Sequence, residues 1–118
     1  MEVTIKGAER ASEWSIVSVK GRLDTITASD LEKKTIAWIG EGHRMLLLDL
    51  AGVEFLSSAG IRAILVVAKK TKELQGTLAI AGLQGIAKEA FNLSACNTIL
   101  STYTSVDSAL KGLNPQPS

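Results

Sequence analysis

The hydrophobic pattern of this chain switches repeatedly between two periods, and that switching restricts its fold more than any single motif does. Val3 and Ile5 alternate with polar neighbours and predict a short strand, followed by a turn over Gly7 to Arg10. Trp14 to Lys20 predicts a second strand, and its apolar residues fall on both faces near the middle, so it is expected to be covered on both sides. Two strands this close in sequence most simply form an antiparallel hairpin. From residue 21 the period lengthens. Ala28, Leu31, Thr35 and Trp38 recur at helical spacing, and Gly40 and Gly42 mark the stop. Thr27 and Ser29 each stand three residues before an acid, Asp30 and Glu32, and both read as N-cap signatures.

Three strand–helix units follow. Met45 to Leu50 is a short apolar run suited to a central strand, with Asp49 its one charge. After Ser57-Ser58-Ala59-Gly60, a helix sets Ile61, Ile64, Leu65, Ala68 and Leu74 on one side and Lys69, Lys70, Lys72 and Glu73 on the other, with Gly76 as its stop. Thr77 to Ala81 is a strand, Gly85 to Leu93 a short helix through Ile86, Ala90 and Leu93, and Thr98 to Tyr103 the last strand. Thr104 or Ser105 then caps a helix containing Val106, Ala109 and Leu110, and the prolines of the tail 114–118 prevent its continuation. Alternation of this kind implies parallel strands joined by right-handed crossovers. The expected architecture is a single α/β domain over residues 1–113. Its sheet is mixed and mostly parallel, of about five strands with about four helices, the N-terminal hairpin at the edge.

Composition narrows the function. At 118 residues, 46% hydrophobic and 21% charged, the chain is of a size to bury its own core, and it is expected to be a monomer when free. A formal charge of +1 and 4% aromatic residues argue against direct nucleic-acid binding, which calls for a basic face and stacking platforms. Cys96 and His43 are the only residues of their types, too few for a disulfide or a structural zinc site, so neither metal nor cofactor is expected. Cys96 is read as a small buried hydrophobe. The opening MEVTIKGAER alternates and carries charge, unlike a secretory signal. The most apolar stretch, Met45 to Ala68, is broken by Asp49, Glu54 and Arg62, unlike a membrane span. A cytoplasmic location with no membrane partner is the expectation.

In open α/β sheets, function sits beyond the carboxyl ends of the strands, where the next helices begin. Two places qualify: the Asp24-Thr25 turn and the Val53 to Gly60 loop. A helix starting at Ser58 or Ala59 has free backbone N–H groups and a partial positive charge there, so a hydroxyl at that point caps the helix and a phosphate on it is tolerated. Spacing alone leaves open which of the two serines is the acceptor, and a serine before a helix is most often only a cap. Leu56-Ser57-Ser58-Ala59-Gly60 also half resembles the nucleophile elbow G-x-S-x-G, with His43 as a conceivable base, but the first glycine is missing and His43 reads as a loop histidine. Gly82-Leu83-Gln84-Gly85 lacks the Gly-Lys-Ser/Thr of a phosphate-binding loop and reads as a strand-to-helix turn. Trp14 and Trp38 read as core, and Lys69, Lys70 and Lys72 as a solvated helix face.

The stretch LLLDLAGVEFLSSAGIRAIL resembles the signature of the STAS domain, in particular that of bacterial anti-sigma factor antagonists: a strand ending in D-L, a loop with an apolar-aromatic pair, then D-S-[ST]-G-[LI] opening a helix. GRLDTITASDLEK is similar to the family's G-x-[LI]-D turn through Gly21, Leu23 and Asp24, and AGLQGIAKEAFNLSACNTILSTYTSVDSAL to its closing strand–helix–strand–helix. The similarity runs over nearly the whole chain. It implies a partner switch and not an enzyme. Unphosphorylated, such a protein binds an anti-sigma factor that is also a serine kinase of the GHKL type, and so frees a sigma factor and regulates transcription. Phosphorylation breaks the complex and a metal-dependent (PP2C-like) phosphatase restores it.

The family's phosphorylated serine maps to Ser58. The contact surface implied is Leu23, Asp24 and Thr25 with Ser57, Ser58, Ala59, Gly60, Ile61 and Arg62. This chain departs from the family pattern at three points. Ser57 stands where an acid is usual, Ala59 where Ser or Thr is usual, and Arg62 where glycine is usual. Both the lost acid and the added cation favour a phosphate. The alternative reading is a non-phosphorylated STAS scaffold in another signalling complex.

Overall fold

Strand formation in the centre of this protein follows from Leu46, Leu47 and Leu48, consecutive residues that are all fully buried because both faces of their strand are covered. The structure, a computed structural model, describes residues 2–7, 14–94 and 100–113. In chain order these form β1 (Glu2–Gly7), β2 (Trp14–Leu23), α1 (Thr25–Gly40), β3 (Met45–Leu56), α2 (Ser58–Glu73), β4 (Thr77–Ala81), α3 (Gly85–Leu93), β5 (Ser101–Tyr103) and α4 (Val106–Leu113). The sheet order is β1-β2-β3-β4-β5. β1 is antiparallel to β2 and every other pair is parallel, as the alternation of periods predicts.

Leu46 and Leu48 face α1, α2 and α3, which contribute Leu31, Ile39, Ile64, Val67 and Phe91 to the larger core. Leu47 faces the opposite way with Trp14, Ile16 and Ala79, under Ala109 of α4. Among the described residues, three helices therefore cover one face and one covers the other. Among the described residues no helix is long and apolar enough to cross a membrane.

Several local expectations are corrected. β3 does not stop at Leu50 but runs to Leu56, and β2 runs on to Leu23. β4 pairs with β3 only as far as Asp49, so residues 50–56 pair with β2 alone, and the ladder carries register shifts between Ser18 and Lys20 and between Gly21 and Arg22. Such bulges break the strict alternation and hide this extension from a pattern reading. The N-cap of α1 is Asp24, ahead of both Thr27 and Ser29, because its carboxylate reaches the free N–H groups first.

The buried stripe of α2 is Gly60, Ala63, Ile64, Val67 and Thr71, with Leu65 outside it. Thr71 is tolerated there because its hydroxyl donates to the Val67 carbonyl at 2.7 Å. The buried stripe of α3 is Ala87 and Phe91, leaving Ile86 and Leu93 exposed. α2 ends in a Schellman motif: Gln75 N–H donates to Lys72 O and Gly76 N–H to Thr71 O, with Gln75 and not Gly76 in the left-handed region at φ 63°. Trp14 is buried as expected, while Trp38 is half-buried and donates from Nε1 to Ser15 Oγ at 2.9 Å. The Gly7–Arg10 turn beyond Gly7, Cys96, Thr98 and the tail 114–118 lie outside the described residues.

Candidate functional site

The extended β2–β3 ladder ends at the pair Leu23↔Leu56, so α1 and α2 begin side by side at the same level. One carbonyl ties the two starts together. Leu23 O accepts from the backbone N–H of Ser57 and from the Ser57 hydroxyl, both at 3.0 Å. The Ser57 Oγ in turn accepts from Gly60 N–H at 3.0 Å and caps α2. Gly60 is buried, and a Cβ there would come within 2.7 Å of that same Leu23 carbonyl oxygen, so only glycine permits this approach.

Across the junction, Asp24 Oδ1 accepts from Ile26 N–H and Thr27 N–H at 3.2 Å, and Thr27 Oγ1 receives Asp24 N–H at 2.8 Å, closing a capping box. The Thr27 hydroxyl has two acceptors within reach, Arg22 O at 2.7 Å and Asp24 Oδ1 at 3.1 Å. These hydrogen bonds, led by that from Thr27 N–H and that from its side chain, hold the Asp24 carboxyl below its usual 3.8, and the nearby Arg22 charge acts in the same direction.

The two serines are thus given different environments. Ser57 is half-buried and its oxygen is engaged as both donor and acceptor. Ser58 is the first residue of α2, is exposed, and has no hydrogen bond from its hydroxyl among the described residues. Of the other residues expected at the contact surface, Thr25 and Arg62 are exposed and Asp24, Ala59 and Ile61 are half-buried. Leu23 is 0% exposed and Gly60 is buried, so these two shape the junction from beneath.

The first turns of α1 and α2 hold no acidic residue, which leaves the partial positive charge of the α2 N-terminus uncompensated beside Ser58, with Arg62 one turn further along. On the last rungs of the ladder, the Arg22 guanidinium lies 4.2 Å above the Phe55 ring.

Two features of the junction leave little or no trace in the sequence. Ile26, in the first turn of α1, is 80% exposed, and its place beside Asp24 was the only available signal. The Arg22–Phe55 pair depends on the strand extension and had no signal of its own.

The hydrolase reading fails on distance. His43 follows the carboxyl end of α1 and stacks on Trp38 with ring centroids 3.9 Å apart, whereas Ser58 lies beside the amino end of that helix. The sixteen residues of α1 span about 24 Å at 1.5 Å per residue, so the imidazole cannot serve the serine. A separate depression of about 630 Å³ lies where β4 and β5 end, bordered by Asp49, Gly82, Gln84, Lys88 and Tyr103, and no residue of the Ser58 junction lines it.

Comparison with known proteins agrees with this architecture. The STAS domain model matches residues 3–109. BtrV of Bordetella bronchiseptica (strain RB50), described as a candidate anti-sigma factor antagonist, is 32% identical over 94 residues, 80% of this chain and 81% of BtrV. An anti-sigma factor antagonist from Mycobacterium paratuberculosis superposes with a TM-score of 0.82 at 26% identity, over 94% of this chain and 92% of that one. SpoIIAA of Bacillus shares the fold at 14% identity. The TM-score is 0.82 for its unphosphorylated form, over 99% of this chain and 100% of SpoIIAA, and 0.72 for its phosphorylated form, over 96% and 100%.

Proposed function

We propose that this chain, which belongs to the STAS domain family, is an anti-sigma factor antagonist whose affinity for its anti-sigma factor is set by phosphorylation of Ser58. The anti-sigma factor is a GHKL-type serine kinase, the chain is its substrate, and a PP2C-like phosphatase resets it. The observation that carries the reading is the division of labour between the two serines: Ser57 is consumed by the cap and the Leu23 carbonyl, and Ser58 presents a free hydroxyl at the helix start. The relatives described as anti-sigma factor antagonists support the same role.

The physics of the switch is local. Phosphate adds roughly −1.5 to −2 charges at neutral pH. In the free chain, the α2 N-terminus and solvent accommodate them, and the fold is unchanged. SpoIIAA keeps the same fold in both of its forms. In a complex the phosphate is desolvated against a surface shaped for a neutral hydroxyl, and an unpaired buried charge costs several kcal/mol. About 3 kcal/mol already weakens binding more than about 100-fold.

The test uses the purified kinase. Ser58→Asp is expected to bind more than about 100-fold more weakly with a nearly unchanged melting temperature, while Ser58→Ala binds constitutively. Incubation with kinase and ATP is expected to add one phosphate by intact mass to the wild type and to Ser57→Ala, and none to Ser58→Ala. Phosphorylation of Ser58→Ala at Ser57 would sink the assignment. Constant binding with no phosphate gained favours the non-phosphorylated scaffold.

A further inference from the structure

Ile26 stands at the second position of α1, 80% exposed. A β-branched side chain favours neither the first turn of a helix nor contact with water, and this one adds nothing to the core. Its backbone is nonetheless held firmly. Ile26 N–H donates to Asp24 Oδ1, the adjacent Thr27 closes the capping box, and the turn is fastened through Leu23 O to Ser57 at the start of α2. A rigidly mounted apolar group therefore stands in the first turn of α1, which starts beside the first turn of α2 because Leu23 pairs with Leu56 and its carbonyl holds Ser57, and the Arg22–Phe55 pair occupies the neighbouring rung of the ladder. The carboxylate beside it, Asp24, is occupied by its own cap.

We propose that Ile26 is the apolar anchor by which the anti-sigma factor engages this chain, and that seating it excludes water from the neighbouring Ser58. The partner presents an apolar pocket next to a surface that accepts a neutral hydroxyl. Groups already fixed in place lose little freedom on docking, which is the property that concentrates binding energy in a few residues. The inference rests on the antagonist reading above and deepens it: phosphate is disruptive because the anchor beside it must be buried.

Ile86 serves as the matched control. It is also an isoleucine in a first turn and is 71% exposed, but it begins α3 after β4, whose pairing with β3 ends at Asp49 while Ser58 follows Leu56. The experiment titrates purified GHKL-type anti-sigma factors of the source organism against wild type, Ile26→Ser, Ile86→Ser, Ser58→Asp and the double variant Ile26→Ser/Ser58→Asp, each verified by a cooperative melt.

Ile26→Ser is expected to weaken binding at least about tenfold and Ile86→Ser by less than about threefold. The loss caused by Ser58→Asp is expected to shrink at least about threefold in the Ile26→Ser background. An Ile26→Ser loss no larger than that of Ile86→Ser overturns the anchor, and strictly additive losses overturn its coupling to Ser58. If Ser58→Asp is neutral while Ile26→Ser still loses binding, the phosphorylation reading fails and the anchor is supported. If the wild type binds none of the kinases, both fall together.

Discussion

At the scale of the residue, the two adjacent serines illustrate how position divides chemically identical groups. Ser57 Oγ has its donor and one acceptor site filled, while Ser58 faces solvent one residue later. Arg62 lies four residues after Ser58, on the same helix face, and is exposed with no acidic partner among the described residues. A phosphate on Ser58 therefore meets a cation at i+4 as well as the amino end of α2. Both favour the dianion. The second pKa of the phosphate is expected to fall below its usual value of about 6 in the wild type and to rise again in Arg62→Gln, read by a phosphorus-31 NMR titration of the two phosphorylated proteins. Equal titrations would mean that Arg62 does not reach the phosphate.

The individual elements were unequally legible. Strand and helix identities and the edge hairpin follow from period and cap chemistry alone, which leave the opening of α2 at Ser58 or Ala59; the Ser57 cap fixes it at Ser58. Helix faces did not follow so well. Ile86 and Leu93 are as helical in spacing as Ala87 and Phe91, with Ala90 half-buried between the two sets, and only the position of β3 decides which set is buried. At the end of α2, glycine is the usual left-handed residue and Gly76 the expected stop, but Gln75 takes that conformation one residue earlier. A left-handed non-glycine residue costs about 1–2 kcal/mol, partly offset by the greater freedom of glycine in the unfolded chain. Gln75→Gly is accordingly expected to stabilise the protein by about 0.5–1 kcal/mol in urea unfolding, with the m-value unchanged. A loss of stability would show that the Gln75 side chain makes a contribution larger than its backbone penalty.

Over the whole molecule, the β2–β3 ribbon carries the starts of α1 and α2 beyond the end of β4, so the Ser58 junction stands apart from the depression bordered by Gly82 and Tyr103. The junction is cross-linked by short hydrogen bonds to Leu23 O and packed on Gly60, and the core lies beneath it. A charge added at Ser58 thus falls on a closely packed, hydrogen-bonded junction. Backbone amide shifts between wild type and Ser58→Asp are expected to change near residues 22–27 and 55–62 and to remain unchanged in β4, α3 and α4. Shifts spreading across the sheet would replace the local electrostatic account with a conformational one.

The order of elements, the parallel sheet and the presence of a hydroxyl at a helix start were determined by the amino-acid sequence itself, because they rest on local periods, capping and chirality that act over a few residues. Tertiary structure alone decided which serine is free, that Leu23 and Gly60 lie beneath the surface, and that the first turn of α1, with Ile26, starts beside the first turn of α2. Each of these depends on the Leu23↔Leu56 register, a contact between residues thirty-three apart whose bulged ladder leaves no regular trace in the sequence.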